Sequence, residues 1–421
     1  MPSADASSVG WEVPDMEGLL CNCTKCSTNC TWCINLCIQD TTEINLSSHS
    51  NRIKKDGYIG TTNAKNDKGL GFLLHPSLVL DAAEGIPYGY ADIKVWNRTL
   101  EFVSKHDRNY NSLPIEAKES YKWIEVSKNT KSALSEVVAG MLIVQDREGD
   151  IYEQFAVIPD KQTDLLIRAR TNRTLKDKTK LFSCLSDSEV KGSYEIIVDA
   201  KQNRKKRTAQ IEIRYKQIEI CKTLTTSKGV LASVKLTLIE AKEIAYSGAD
   251  KICWRLLTTV AIDDVKTAKA CIEWYSWRWK IEEVFKILKK EGYNIEASEL
   301  EYASSIRKMC LLIMETIIKL FLMRLAYAEP ELDLNADSCF TVDEQQFLEH
   351  QITKLEGKTE KQKNPYKTKD LKRFVWAIAR LGGWKGYESK RHPGITTLWI
   401  GLKYFKTSME GWKIMRNVST R

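Results

Sequence analysis

Tyr275, Arg278, Glu282 and Lys289 follow one another at spacings of three, four and seven residues. At roughly 100° per residue these spacings return to one stripe of a helix. The carboxylate of such a stripe can hold a divalent metal, and the tyrosine, arginine and lysine around it can hold phosphates. That surface suits an enzyme that cuts or joins nucleic acid. Asp40 and Asp146 stand at the ends of two apolar runs that read as buried strands. An aspartate after a strand is, taken alone, most simply a turn or cap residue. Beside the stripe, the two acids become oxygen ligands to one shared metal, and each can hold a second ion with Glu282. Two magnesium ions about 4 Å apart are the usual device for phosphodiester chemistry.

An α/β core can gather strand ends and a neighbouring helix around one point. The pattern supplies those elements. Residues 32–39 form a short apolar strand ending at Asp40-Thr41-Thr42, segments 71–80 and 86–96 predict two more, and 138–146 predicts a buried strand. Residues 115–134 read as a charged helix, and Asp150 to Phe155 opens another. Between 163 and 258 the chain alternates apolar and polar residues in five strand-like segments, at 165–169, 194–199, 209–215, 232–239 and 252–259. One long helix is predicted from about Asp264 to Gly292, with Asp263 or Asp264 as N-cap and the glycine as its end. A second, near 300–328, is apolar enough to be core; further helices near 369–381 and 394–412 flank Gly382-Gly383-Trp384. There is no internal repeat.

The 421 residues are enough for two or three domains, and 43% apolar with 28% charged residues is a globular profile. No run of about 18 apolar residues predicts a membrane span. The start lacks the layout of a signal peptide, so a cytoplasmic protein, nucleoid-associated when on DNA, is expected. Net charge is +9. Its placement matters more: Lys201 to Arg207 is one basic cluster, and Lys354, Lys358, Lys361, Lys363, Lys367, Lys369, Lys372 and Arg373 form another. Each is either a solvated surface or a nucleic-acid contact. Six of 12 cysteines crowd into Cys21, Cys23, Cys26, Cys30, Cys33 and Cys37. The two C-x2-C pairs have zinc-like spacing, but the gap between them is too short for an ordinary zinc ribbon. Free thiols are the expected state rather than zinc ligands.

The spacing Tyr-x2-Arg-x3-Glu-x6-Lys at Tyr275, Arg278, Glu282 and Lys289 resembles the signature of bacterial cut-and-paste transposases of the insertion-sequence-four (IS-four) group, most of all the Tn-five type. The resemblance continues in Asp40-Thr41-Thr42, Glu119 to Trp123, Asp146-Arg147-Glu148-Gly149-Asp150, Arg168, Arg170 and Arg173. It also takes in Trp254, 21 residues before Tyr275, then Trp376 to Trp384, Ser389 to Arg391, Gly394-Ile395 and Leu398-Trp399. It runs from about 32 to 415. The resemblance implies an α/β, RNase H-like catalytic core interrupted by a β-rich insertion, with an α-helical C-terminal dimerisation region. The corresponding boundaries are a Cys-rich lead-in at 1–30, the core at 31–162 and 259–330, the insertion at 163–258, a basic linker at 331–368 and the dimerisation region at 369–421.

In that family the metal triad would be Asp40, Asp146 and Glu282, holding Mg2+ or alternatively Mn2+. Tyr275, Arg278 and Lys289 would grip phosphates near the transposon end, with Lys286 and Trp279 beside them and Arg168, Arg170 and Arg173 as further DNA contacts. Trp254 would stack on a base flipped from the duplex as the end closes into a hairpin; without the resemblance it reads as a core tryptophan. The implied partners are double-stranded DNA, both transposon ends and target, and a second copy of the chain. The family's helical DNA-binding domain usually precedes the first acidic residue, whereas only 39 residues precede Asp40 here. The sequence therefore leaves two readings: an active transposase, or an N-terminally truncated copy that dimerises with and inhibits full-length transposase. A general metal-dependent nuclease is a third.

Overall fold

The computed structural model describes residues 34–54, 56–62, 69–99, 113–198, 200, 205–223, 226, 229–329, 331–387 and 392–419. Cys21, Cys23, Cys26, Cys30 and Cys33, the first four residues of the 201–207 basic cluster, and Ser389 to Arg391 lie outside the described residues. The described chain is a mixed α/β structure. In order it forms β1 (Asn35–Gln39), β2 (Thr42–Asn45), β3 (Gly60–Thr61), β4 (Leu70–Asp81), β5 (Pro87–Trp96), α1 (Tyr121–Leu134), β6 (Met141–Gln145) and α2 (Tyr152–Val157). Then come β7 (Thr163–Arg168), β8 (Gly192–Val198), β9 (Arg207–Cys221), β10 (Ser233–Glu243), β11 (Cys253–Thr258), α3 (Val265–Ser276) and α4 (Trp279–Lys289). The last helices are α5 (Ala303–Ala328), α6 (Val342–Leu355), α7 (Leu371–Leu381) and α8 (Ile395–Ser419). These elements divide into two compact units. One comprises residues up to 37, 81–84 and 123–274; the other comprises 38–80, 85–122 and 275–421.

In the first unit the strands lie in the order β6-β7-β11-β10-β9-β8. The β6–β7 pair is parallel, and every later pair is antiparallel. Parallel neighbours need a crossover, which residues 146–162 with α2 provide. Both strands of that pair are apolar runs: Met141 to Val144 and Leu165 to Ile167 are buried. Beyond β11 the pattern changes to alternation. In β9, Ala209, Ile211 and Ile213 are buried while Thr208 and Gln210 are exposed, so one face of this sheet packs and the other meets water. The side chain of Val265 fills the space above Gly192, and Lys269 reaches over the Tyr194 ring at 5.3 Å, which seats α3 on β8.

In the second unit β4 is buried from Gly71 through Leu80 and pairs antiparallel with β2, β3 and β5. The 26-residue α5 supplies the largest apolar helix surface, including Ile306, Cys310, Ile313, Met314 and Ile317. Segment 331–368, expected as a linker, instead contains α6, opened by a capping box between Thr341 and Glu344. Phe347, Leu348 and Ile352 form its buried face, and of the segment's lysines only Lys354, which is exposed, lies on the helix. Arg373 on α7 binds Glu349 on α6 in a two-pronged ion pair, with bonds of 2.6 and 2.7 Å. Helices α7 and α8 touch backbone to backbone. A Cβ on Gly401 would strike the Ile378 carbonyl, and one on Gly382 would strike that of Thr397. Among the described residues no helix is long and apolar enough to cross a membrane.

Candidate active site

The predicted single helix over 264–292 is two helices. At the junction Arg278 N–H donates to Tyr275 O at 3.2 Å, Lys280 N–H to Trp277 O at 2.9 Å, and Ile281 N–H to Arg278 O at 3.2 Å. These i→i+3 bonds tighten the chain into a turn between α3 and α4. Lys280 Nζ donates to the Gly85 carbonyl at 2.5 Å and lies 5.1 Å from the Trp277 ring. Trp277 and Lys280 thus hold the turn that leads into β5. Arg278, at the N-cap position of α4, is turned toward the end of β1.

There its guanidinium joins two acids that are remote in sequence. Nη1 donates to Asp40 Oδ2 at 2.8 Å and Nη2 donates to Glu282 Oε1 at 2.7 Å. The side chains of Arg278, Asp40 and Glu282 are 12%, 19% and 35% exposed, so the pairing is shielded rather than a solvated surface contact. Burial works against the charge on Arg278, but Asp40 and Glu282 outweigh it and raise its pKa above the ordinary arginine value. Arg278 Nε is buried without a hydrogen-bond partner among the described residues. Asp40 is oriented by the Thr41 N–H, which donates to Oδ1 at 2.7 Å. Thr41 Oγ1 in turn lies 2.8 Å from Nδ1 of His75, a wholly buried residue of β4. His75 carried no sequence signal, since a lone histidine within an apolar strand has no spacing to mark it.

The rest of the stripe divides by environment. Tyr275 is only 4% exposed. Lys289, the last residue of α4, is half-buried and 3.9 Å from Glu296; burial lowers its pKa although Glu296 and Glu43 oppose this. Lys286 is exposed and paired with Glu291. Trp279 is 54% exposed, its ring 5.6 Å from the Arg278 guanidinium carbon.

Asp146 belongs to the first unit, immediately after β6. Its Oδ1 accepts the Glu148 N–H at 2.7 Å and so caps a short 3-10 turn over Arg147–Gly149. The turn is anchored at its far end by Asp150, which accepts Arg170 N–H at 2.8 Å, Thr171 N–H at 3.2 Å and the Arg173 guanidinium. Arg173 is therefore committed to an ion pair, whereas Arg170 is exposed and Arg168, closing β7, is half-buried. Gly149 lies against the Gln145 side chain, where any Cβ would collide. Gln145 and Gln154 both donate to Ser127 Oγ, at 3.2 and 2.7 Å, and Ser127 Oγ–H donates to the Trp123 carbonyl at 2.7 Å. This buried network beneath Asp146 was missed in the sequence; a glutamine ending an otherwise apolar strand was its only signal. Trp254 lies in β11, opposite Ala241 of β10, and is half-buried.

Asp40 and Glu282 bring hard oxygen donors onto one cationic point, a chemistry that fits Mg2+ or Mn2+. Among the described residues no group of three or more His, Cys, Asp or Glu could hold a metal ion. Arg278 takes the point where the two carboxylates converge, and the Asp146 carboxylate caps its own turn. Among solved structures, the chain is similar to a piggyBac transposase in a synaptic complex with hairpin DNA, at 10% identity and a TM-score of 0.33, over 68% of this chain and 45% of that one. This chain thus spans less than half the length of that transposase. Residues 135–317 match the family model for the transposase DDE domain, a stretch that includes Asp146, Tyr275, Arg278, Glu282 and Lys289 and leaves Asp40 outside. Over those residues the chain is similar to transposase DDE domains.

Proposed function

We propose that this chain is a cut-and-paste DNA transposase of the IS-four, Tn-five-like type, with Asp40, Asp146 and Glu282 as its metal-holding acids. The observation that carries the reading is the convergence of Glu282 and of Asp40, which lies 238 positions before Arg278, on the guanidinium of Arg278. The transposase DDE match over 135–317 and the Tyr-Arg-Glu-Lys spacing support it. A divalent cation held by these acids would activate the attacking oxygen and stabilise the leaving one. Arg278, Lys289 and Tyr275 would orient the phosphate of the transposon end, and exposed Trp279 would border it. In the proposed sequence, water attacks a phosphodiester at the transposon end and releases a 3′-OH. That hydroxyl attacks the opposite strand and closes a hairpin, with Trp254 stacking on the displaced base. A second water reopens the hairpin, and the 3′-OH then attacks target DNA. Each step is the same in-line phosphoryl transfer, so one set of acids serves all of them. The C-terminal helices would pair two chains, each cutting one end.

The test is opening of a hairpin oligonucleotide carrying the inverted repeat that flanks the gene. Wild type should open it with Mg2+ or Mn2+ and stop on addition of EDTA. Glu282→Gln and Asp40→Asn should each lose activity by about 100-fold or more, the scale of removing a group that stabilises developing charge. Cleavage that survives either substitution would sink the site assignment.

A further inference from the structure

Because Arg278 stands where the two carboxylates converge, a cation and the guanidinium cannot both occupy that point. We infer that Arg278 couples metal loading to DNA: it closes the Asp40–Glu282 pair until a DNA phosphate takes its guanidinium, and only then releases the pair to a divalent cation. This rests on the proposed metal role of Asp40 and Glu282.

Electrostatics makes the exchange a paired event. Withdrawing Arg278 alone takes from two shielded carboxylates the guanidinium that both share, and leaves a mostly buried guanidinium without these acceptors. A cation arriving alone must expel Arg278 into an uncompensated position; a phosphate arriving alone must compete with two carboxylates. Together they satisfy both sides, the cation replacing the guanidinium at the acids and the phosphate replacing the acids at the guanidinium. The unsatisfied Nε of Arg278 points the same way. Its two current bonds use only Nη1 and Nη2, whereas a phosphate bound side-on through Nε and Nη2 would give the Nε hydrogen an acceptor. Coupling of this kind is reciprocal, so DNA must tighten metal binding by the factor by which metal tightens DNA binding. It would also keep an unloaded enzyme from cutting until substrate is seated.

The experiment is calorimetric titration of Mn2+ into the full chain, with and without a saturating short DNA duplex, using Glu282→Gln as the blank for ions bound by DNA itself. Wild type should bind Mn2+ weakly alone and about tenfold more tightly with DNA, within the usual span of coupling energies. Arg278→Ala should bind Mn2+ tightly without DNA, and DNA should leave its affinity unchanged. Arg278→Lys keeps the charge but lacks the planar fork of the guanidinium, and should fall between them; it also guards against a variant that fails to fold. Equal wild-type affinities with and without DNA, or no gain in Arg278→Ala, overturn the coupling. Absence of Mn2+ binding in wild type with DNA and in Arg278→Ala alike removes the metal role of Asp40 and Glu282 itself.

Discussion

His75 lies one hydrogen bond from the residue next to Asp40, fully buried in β4. Burial first, then the charges of Lys122 and Lys94, hold its pKa well below the usual 6.5. The folded state therefore keeps His75 neutral where the unfolded chain would bind a proton. Stability is retained above about pH 6.5 and declines as pH falls below it, by up to about 1.4 kcal/mol per pH unit while only the unfolded form is protonated. Chemical denaturation of wild type and His75→Gln from about pH 7.5 down to pH 5 checks this; equal slopes for the two proteins would exclude His75 as the cause. At this scale the placement of Asp40 directly after a strand and of Glu282 on a helix was legible, since strands and helices have spacing signatures. His75, Ser127, Gln145 and Gln154 were not, because a buried polar group is defined by the partner it meets, and that partner lies elsewhere in the chain.

The division of the predicted 264–292 helix shows how elements can escape a sequence pattern. No glycine or proline marks the turn at Trp277–Arg278, and Arg278 keeps helical dihedrals, with φ −51° and ψ −29°. The apolar period is therefore preserved through the junction, and only the hydrogen-bond pattern changes. The bend matters because Arg278 and Glu282, four apart, still meet on one side while Trp277 and Lys280 engage the turn before β5. Helix packing offers a sharper test. Gly401 sits at the α7–α8 contact, whereas a Cβ on Gly411 of the same helix meets nothing within 4 Å. Gly401→Ala should destabilise by about 1–3 kcal/mol through overpacking. Gly411→Ala should instead stabilise by roughly 1 kcal/mol through helix propensity. Thermal melts of the two variants read both signs, and two shifts in the same direction would contradict the packing.

Over the whole molecule, the excess of 64 Lys and Arg over 55 Asp and Glu makes phosphate contact the natural source of DNA affinity. We predict that retention on duplex DNA weakens at least about tenfold between 50 and 200 mM salt, the behaviour of counterion release from a few phosphates. Fluorescence anisotropy across that range measures it; binding insensitive to salt would exclude a phosphate-dominated interface. The buried strand that ends at Asp146, the alternating strands between 163 and 258 and the Tyr-Arg-Glu-Lys spacing could be read from the sequence, because each depends on a period set by the local backbone. Tertiary structure alone decided that Arg278 closes Asp40 onto Glu282, that Arg173 is spent on Asp150, and that Val342–Leu355 folds as a packed helix. Those outcomes depend on charges and surfaces brought together through space, which no local period encodes.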